Sequence, residues 1–90
     1  MKEAVSITVF GKVQGVSYRK STHTKALEIG LTGWVKNLPD GSVEIHAEGE
    51  TSKLLELYEW CKVGPSLADV TDVDSNPVES QNFETFEIIF

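Results

Sequence analysis

Residues 33–48 read GWVKNLPDGSVEIHAE, a turn with a strand-like stretch on either side. Residues 42–48 alternate apolar and polar side chains, which is the period of a half-buried β-strand, and residues 33–37 are the matching stretch before the turn. Pro39 fixes its own φ angle and Gly41 tolerates a positive φ, so the segment between the stretches favours a tight turn. The sequence therefore predicts a β-hairpin in the middle of the chain.

A helix is predicted before the hairpin. Good helix formers dominate residues 19–29, and Gly30 is suited to a left-handed C-terminal cap. Side chains spaced by four, four and three residues fall on one face of this helix, namely Tyr18, Thr22, Ala26 and Ile29. The helix therefore has one face to bury against a sheet.

A second helix is predicted after the hairpin, with Thr51 or Ser52 as its N-cap residue and Gly64-Pro65 beyond its end. Its buried face is predicted to contain Leu54, Leu57, Tyr58 and Cys61. Cys61 is the only cysteine, so an internal disulfide and a multi-cysteine metal site are excluded, and we expect it to be a small buried apolar group.

Strands are predicted near both ends of the chain. Residues 5–9 alternate with β-branched side chains, whereas residues 67–77 alternate irregularly and predict a bulged or edge strand. Residues 86–90 predict a closing strand whose last residue, Phe90, lies in the core.

This order of elements predicts an α+β fold of the split βαβ, ferredoxin-like kind. We expect an antiparallel sheet of four to five strands with two helices on one face, formed by a single domain over residues 1–90. Because this fold carries many unrelated functions, the function must be argued from particular residues.

Composition excludes some classes of function. The chain has 8 Lys and Arg against 14 Asp and Glu, a net charge of −6, which disfavours nucleic-acid binding. It has no apolar run of about 18 residues that could cross a membrane. The first residues lack a secretory leader, so we expect a cytoplasmic location.

A glycine-rich loop precedes the first predicted helix. Residues 11–19 read GKVQGVSYR, and a loop that enters a helix N-terminus presents backbone N–H groups to an anion. Arg19 adds a planar donor that matches two phosphate oxygens. The alternative is a plain connection in which Arg19 pairs with a surface carboxylate.

Asn37 is the second candidate, since it ends a predicted strand just before the turn. Its amide offers both donors and an acceptor, so it can hold a water molecule without acting as a base. The alternative is that Asn37 bonds the backbone of its own turn.

Two segments together resemble the signatures of acylphosphatases: residues 9–19, VFGKVQGVSYR, and residues 33–43, GWVKNLPDGSV, with Gly49 six positions further on. The resemblance covers nearly the whole chain. Tyr18 departs from the more usual phenylalanine of the family, which adds a hydroxyl or changes packing. The resemblance implies a split βαβ enzyme that hydrolyses acyl phosphates to a carboxylate and inorganic phosphate without a metal or cofactor.

The resemblance also implies roles for individual residues. Arg19 is the principal phosphate ligand and Asn37 orients the attacking water. The phosphate cradle comprises Gln14, Gly15, Val16, Ser17, Tyr18 and Arg19. The implied ligands are a small acyl phosphate and, as competing anions, inorganic phosphate or sulfate. We expect a monomer that binds neither nucleic acid nor membrane.

Other interpretations and residues stay open at this point. A ligand sensor, an RNA-binding sheet and a domain that assists a carbamoyl-transfer enzyme are alternatives to the free hydrolase. His23 and His46 are expected at solvated or supporting positions. Trp34 is either a wall of the site or a core residue, and we expect it in the core. Residues 69–74 contain three aspartates and are expected to form a solvated acidic edge, because they lack the pattern of a calcium loop.

Overall fold

The computed structural model describes residues 2–89 and has the predicted α+β architecture. Its elements are β1 (Lys2–Lys12), α1 (Tyr18–Ile29), β2 (Thr32–Asn37), β3 (Val43–Glu50), α2 (Thr51–Cys61), β4 (Asp69–Val78) and β5 (Phe86–Ile89). The strands form one sheet in the order β4-β1-β3-β2-β5. Phe90, which the sequence places in the core, lies outside the described residues.

The sheet is mixed, so the expectation of a purely antiparallel sheet is wrong in one respect. β1 pairs antiparallel with β3 and β4, and β2 pairs antiparallel with β3, but β5 runs parallel to β2. The physical reason is the connection of residues 79–85, here called the crossing segment. It leads from β4 at one edge to β5 at the opposite edge, so β5 enters the sheet in the direction of β2.

The core lies between the sheet and the two helices. The four predicted residues of α1 are all buried, and so are Leu54, Leu57 and Cys61 of α2. They pack with buried strand residues that include Ile7 and Val35. Removing a large apolar side chain from water stabilises a fold by about 1.5–3 kcal/mol, so this layer is the main source of stability.

The helix ends agree with the sequence in one case and differ in another. Gly30 caps α1 with φ 93°, and its N–H donates to the carbonyl of Ala26 over 2.9 Å. α2 begins at Thr51 with Glu50 as its N-cap residue and no side-chain cap, so the predicted cap is wrong. The Thr51 hydroxyl instead donates to Oε1 of Glu3 over 2.6 Å, because the helix starts directly beside β1.

β4 is an edge strand, as its irregular pattern predicts, and β1 carries a register shift between Phe10 and Gly11 where the two strands pair. The three aspartates of β4 are exposed, as expected for a solvated edge. Neither described helix has the length and apolar character that crossing a bilayer requires.

The sheet face opposite the helices is partly covered. Trp34 is half-buried on this outer face rather than in the core, because the inward positions of β2 are those of Gly33 and Val35. Its ring stacks on that of His46, with centroids 5.8 Å apart. His46 and Glu48 are buried beneath the crossing segment, with exposures of 5% and 1%. The sequence does not predict this burial, since a period of two alone does not reveal a distant loop that covers the face.

Candidate active site

The loop between β1 and α1 turns sharply at two residues with left-handed backbone. Gly15 has φ 74° and Ser17 has φ 63°. Glycine adopts this region without strain, whereas serine is strained there. Residues with such strained backbone cluster at the functional sites of proteins. Left-handed residues next to right-handed ones turn successive N–H groups toward one concave side, which is the geometry of an anion-binding nest.

The same loop ends at the N-terminus of α1. Ser17 is the N-cap residue, and its hydroxyl makes no capping hydrogen bond. The first bond of the helix runs from the N–H of Ser21 to the carbonyl of Ser17, over 2.9 Å. The preceding N–H groups have no partner within the helix, and the positive end of the helix dipole adds to their attraction for an anion.

Arg19 lies in the first turn of α1 and is half-buried. Its Nη1 donates to the carbonyl oxygen of Ile89, the last residue of β5, over 3.1 Å. This bond joins the start of α1 to the end of a strand that is 70 residues away in sequence. One N–H group of the guanidinium is thus bound by a backbone carbonyl at the end of the sheet.

Asn37 is the last residue of β2 and pairs with Val43 across the hairpin. Its Oδ1 is buried and has no hydrogen-bond partner among the described residues. The carboxylate of Asp40 serves the turn instead, because its Oδ1 accepts from the hydroxyl of Ser42 over 2.5 Å and from the N–H of Ser42 over 2.9 Å. The hydrogen bond from the Ser42 hydroxyl has the larger effect and the one from the Ser42 N–H the smaller, and both hold the pKa of Asp40 below its ordinary value.

Gln14 connects the two segments through its side chain. Nε2 donates to the carbonyls of Leu38 and Ser42, each over 2.8 Å. Both N–H groups of the amide are used in this way, so only the backbone of Gln14 is available to an anion. The sequence predicts Gln14 as a residue of the phosphate loop, but it does not predict the hydrogen bonds of Gln14 to the hairpin.

The loop and Asn37 meet in a cleft of about 450 Å³. Its walls are formed by Val13, Gly15, Ser17, Tyr18, Arg19, Lys20, His23, Thr24, Asn37 and Ile88. Five of these are predicted site residues. Gln14 and Val16, also predicted, are not among them, and Val16 is packed in the core with 7% exposure. The sequence does not predict that Ile88 lines the cleft, because only the folded sheet brings β5 beside α1.

Tyr18 packs its ring into the core, and its hydroxyl donates to the carbonyl of Cys61 over 2.8 Å. Burial is the main cause that raises the pKa of the Tyr18 phenol above its ordinary range, and the neighbouring Cys61 is a smaller one. The hydroxyl therefore stays protonated and can donate. A Cβ at Gly64 would lie 2.6 Å from Cε2 of Tyr18, so glycine leaves room for the ring. The extra hydroxyl therefore ties α1 to the end of α2.

Two other reactive side chains are Cys61, which is buried away from the cleft, and His23, which lines it. Burial raises the pKa of the Cys61 thiol to about 12, so it is not a thiolate nucleophile near neutral pH. His23 lies at the cleft, with its ring centroid 6.1 Å from that of Phe86. Within residues 2–89 no three His, Cys, Asp or Glu side chains are grouped so that they could hold a metal ion.

Comparisons with known proteins agree with this geometry. The family model described as Acylphosphatase matches residues 5–88. A curated acylphosphatase of Marinobacter nauticus is 56% identical over 81 residues, which is 89% of this chain and 88% of that protein. The solved acylphosphatase of Coxiella burnetii has a TM-score of 0.95 at 41% identity. The match covers 98% of this chain and 93% of the Coxiella chain.

The solved acylphosphatase of Bacillus subtilis is similar over the full length of both chains, with a TM-score of 0.94 and 37% identity. Sequence motifs, family model and fold thus agree over nearly every described element. The resemblance carried by residues 9–19 and 33–43 is confirmed, and the chain belongs to the acylphosphatase family.

Proposed function

We propose that this chain hydrolyses small acyl phosphates at the cleft between the loop of residues 14–19 and Asn37, and that Arg19 is its principal phosphate ligand. The observation that carries the proposal is that one cleft is lined both by this loop and by Asn37. The substrate phosphoryl group would lie on the backbone N–H groups of the loop and the first turn of α1. Arg19 would complete the cradle with a charge-assisted bond.

The reaction needs little more than positioning and charge. As the water oxygen bonds to phosphorus, the bond from phosphorus to the acyl oxygen breaks and its electron pair leaves with the carboxylate. The proton that the water loses passes to a phosphoryl oxygen or to solvent, which leaves inorganic phosphate. The conjugate acid of a carboxylate has a pKa of about 4, so the leaving group needs no proton. Phosphoryl transfer passes through a loose transition state with its charge on the phosphoryl oxygens, where N–H groups and a guanidinium act most strongly.

Asn37 is the group that we assign to the water. Its buried Oδ1 is an acceptor without a protein partner among residues 2–89, which supports a role in accepting a hydrogen bond from the nucleophile. An amide cannot take up the proton of the water as a base. Its contribution is orientation, which can account for a large part of a rate when the reacting atoms must be aligned.

Inorganic phosphate and sulfate should compete with substrate, since each resembles the transferred group. We also propose that the enzyme works as a monomer, because all the groups assigned to the reaction come from one chain. Its proposed location is the cytoplasm. None of the assigned roles requires a metal or a cofactor.

The experiment is hydrolysis of acetyl phosphate in water enriched in heavy oxygen, with a chelator present. Attack at phosphorus predicts that the label enters inorganic phosphate and that acetate carries none. Added sulfate should raise KM without changing kcat. Label in acetate would show attack at the carbonyl carbon, and noncompetitive inhibition by sulfate would show that the anion binds elsewhere. Either result would contradict the proposal.

A further inference from the structure

Glu48 is a fully buried carboxylate outside the cleft. It lies on β3, the middle strand of the sheet, and faces away from the helices. A buried charge is costly unless donors surround it, so the groups that bond to Glu48 show which parts of the fold it joins. The mechanism proposed above makes no use of it.

The donors that surround Glu48 come mainly from the crossing segment. Oε2 accepts from the backbone N–H of Gln81 over 2.6 Å, and Oε1 accepts from the hydroxyl of Ser80 over 3.0 Å. Nε2 of His46 lies 2.6 Å from Oε2 and must carry the ring proton, since an ionised carboxylate only accepts. Phe83 of the same segment packs edge-on against His46, with centroids 5.3 Å apart.

The crossing segment leads directly into β5. It has no regular secondary structure and spans the sheet from one edge strand to the other. At its end the carbonyl of Thr85 accepts from the N–H of Gly33 over 2.9 Å, and β5 then pairs with β2 through Ile89. β5 has four residues that pair with β2, and Phe86 anchors it in the core; the crossing segment, which enters it directly, is a further constraint on its position.

Ile89 is the residue through which β5 meets the proposed phosphate ligand, since its carbonyl accepts from Nη1 of Arg19 over 3.1 Å. We propose that Glu48 is a positioning residue for the phosphate cradle: it fixes the crossing segment on the central strand, and β5 thereby holds Arg19 in its binding orientation. This inference rests on the proposed role of Arg19 as phosphate ligand.

The test is a double-mutant cycle on the full chain, read by NMR titration with inorganic phosphate, which measures binding even in inactive variants. Glu48→Gln keeps the shape of the side chain but replaces one acceptor by a donor. In the presence of Arg19 it should weaken phosphate binding about five- to tenfold, whereas in the Arg19→Ala background its effect should fall below about twofold.

Glu44→Gln is the matched control. Glu44 lies on the same strand and the same face, and its carboxylate contacts Ser6 and Lys36 but not the crossing segment. Its neutralisation should leave phosphate binding unchanged in both backgrounds. A general effect of removing a negative charge from this acidic protein would instead appear in both glutamate variants.

Each outcome decides the matter. An equal loss of binding from Glu48→Gln in both backgrounds would show an effect of Glu48 that does not pass through Arg19, and no loss at all would show that β5 holds its place without Glu48. If Arg19→Ala alone leaves phosphate binding intact, the proposed function fails instead. Should Glu48→Gln not fold, Ser80→Ala removes only one donor; it should weaken phosphate binding about threefold in the presence of Arg19 and leave it unchanged in the Arg19→Ala background.

Discussion

The side-chain amide of Gln14 donates to the carbonyl of Leu38, the residue that follows Asn37, over 2.8 Å. The second bond of the same amide goes to Ser42, on the far side of the turn. The loop that forms one side of the cleft is therefore fastened to the hairpin that forms the other. This one side chain therefore bridges the proposed phosphate cradle and the turn that follows the proposed water-binding amide.

Replacing Gln14 by methionine tests that connection. The variant keeps the length of the side chain but removes both donors, so two carbonyls lose a partner. The free energy of unfolding should fall by about 1–3 kcal/mol, and kcat/KM for acetyl phosphate should fall at least about tenfold because Asn37 is displaced. Urea unfolding and phosphate release measure the two effects. Gln81→Met is the control, since within residues 2–89 the exposed Gln81 bonds to the fold through its backbone N–H.

Arg19→Ala removes the proposed charge-assisted contact to phosphate. A bond of this kind contributes about 1.5–3 kcal/mol, so kcat/KM should fall by more than about tenfold and as far as a thousandfold if two such bonds form. Steady-state phosphate release measures the loss. Lys62→Ala removes an exposed cation that pairs with Glu59, outside the cleft, and should leave the rate unchanged. Equal values of kcat/KM in Arg19→Ala and wild type would overturn the assignment.

Asn37→Ala should separate catalysis from binding. With the water no longer oriented, kcat should fall about a hundredfold or more, while the inhibition constant of inorganic phosphate stays nearly the same. Inhibition kinetics with acetyl phosphate as substrate provide both numbers. A parallel loss of phosphate affinity and kcat would instead identify Asn37 as a phosphate ligand or a structural residue.

The rate should be nearly independent of pH between about pH 5 and 8, because guanidinium, backbone N–H and amide groups do not titrate in that range. Chelators should leave it unchanged. His23 lines the cleft but is assigned no proton transfer, so His23→Gln should keep the flat profile and most of the rate. A bell-shaped profile that this substitution abolishes would identify His23 as a base, and loss of activity with a chelator would identify a metal.

Glu48 should make the fold sensitive to acid. Burial alone would raise the pKa of Glu48, but the N–H of Gln81, the His46 ring and the Ser80 hydroxyl lower it from the ordinary 4.5 to about 2. A depressed pKa means that the carboxylate stabilises the fold above about pH 4.5 and that this stabilisation is lost as pH falls toward 2. Urea unfolding at a series of pH values should show that slope in wild type and in Glu44→Gln. In Glu48→Gln the slope should be smaller, and an unchanged slope would show that other groups cause it.

Local patterns in the sequence are sufficient for most of the secondary structure. The period of 3.6 gives the buried face of α1 residue by residue, and Gly30 marks its end, because both depend on neighbours along the chain. The same holds for the hairpin turn around Pro39 and Gly41. The conformation of the cradle loop also depends on neighbouring residues, because a few consecutive residues determine the left-handed backbone at Gly15 and the start of the helix.

Long-range pairing explains what the patterns miss. The period of two places Trp34, His46 and Glu48 on one face of a sheet, but a period does not tell whether water or another segment covers that face. The crossing segment covers it, and the same segment makes β5 parallel to β2 and so makes the sheet mixed.

The sequence by itself thus determined the order of the elements, the helix faces and the two segments that carry the proposed chemistry, since each depends on residues close together in the chain. Only the tertiary structure decided that Gln14 bonds the hairpin, that Ile89 holds Arg19 and that Glu48 lies beneath residues 79–85. These contacts join residues 24 to 70 positions apart. They form because packing closes the sheet, and no local propensity encodes which distant donor will meet which acceptor.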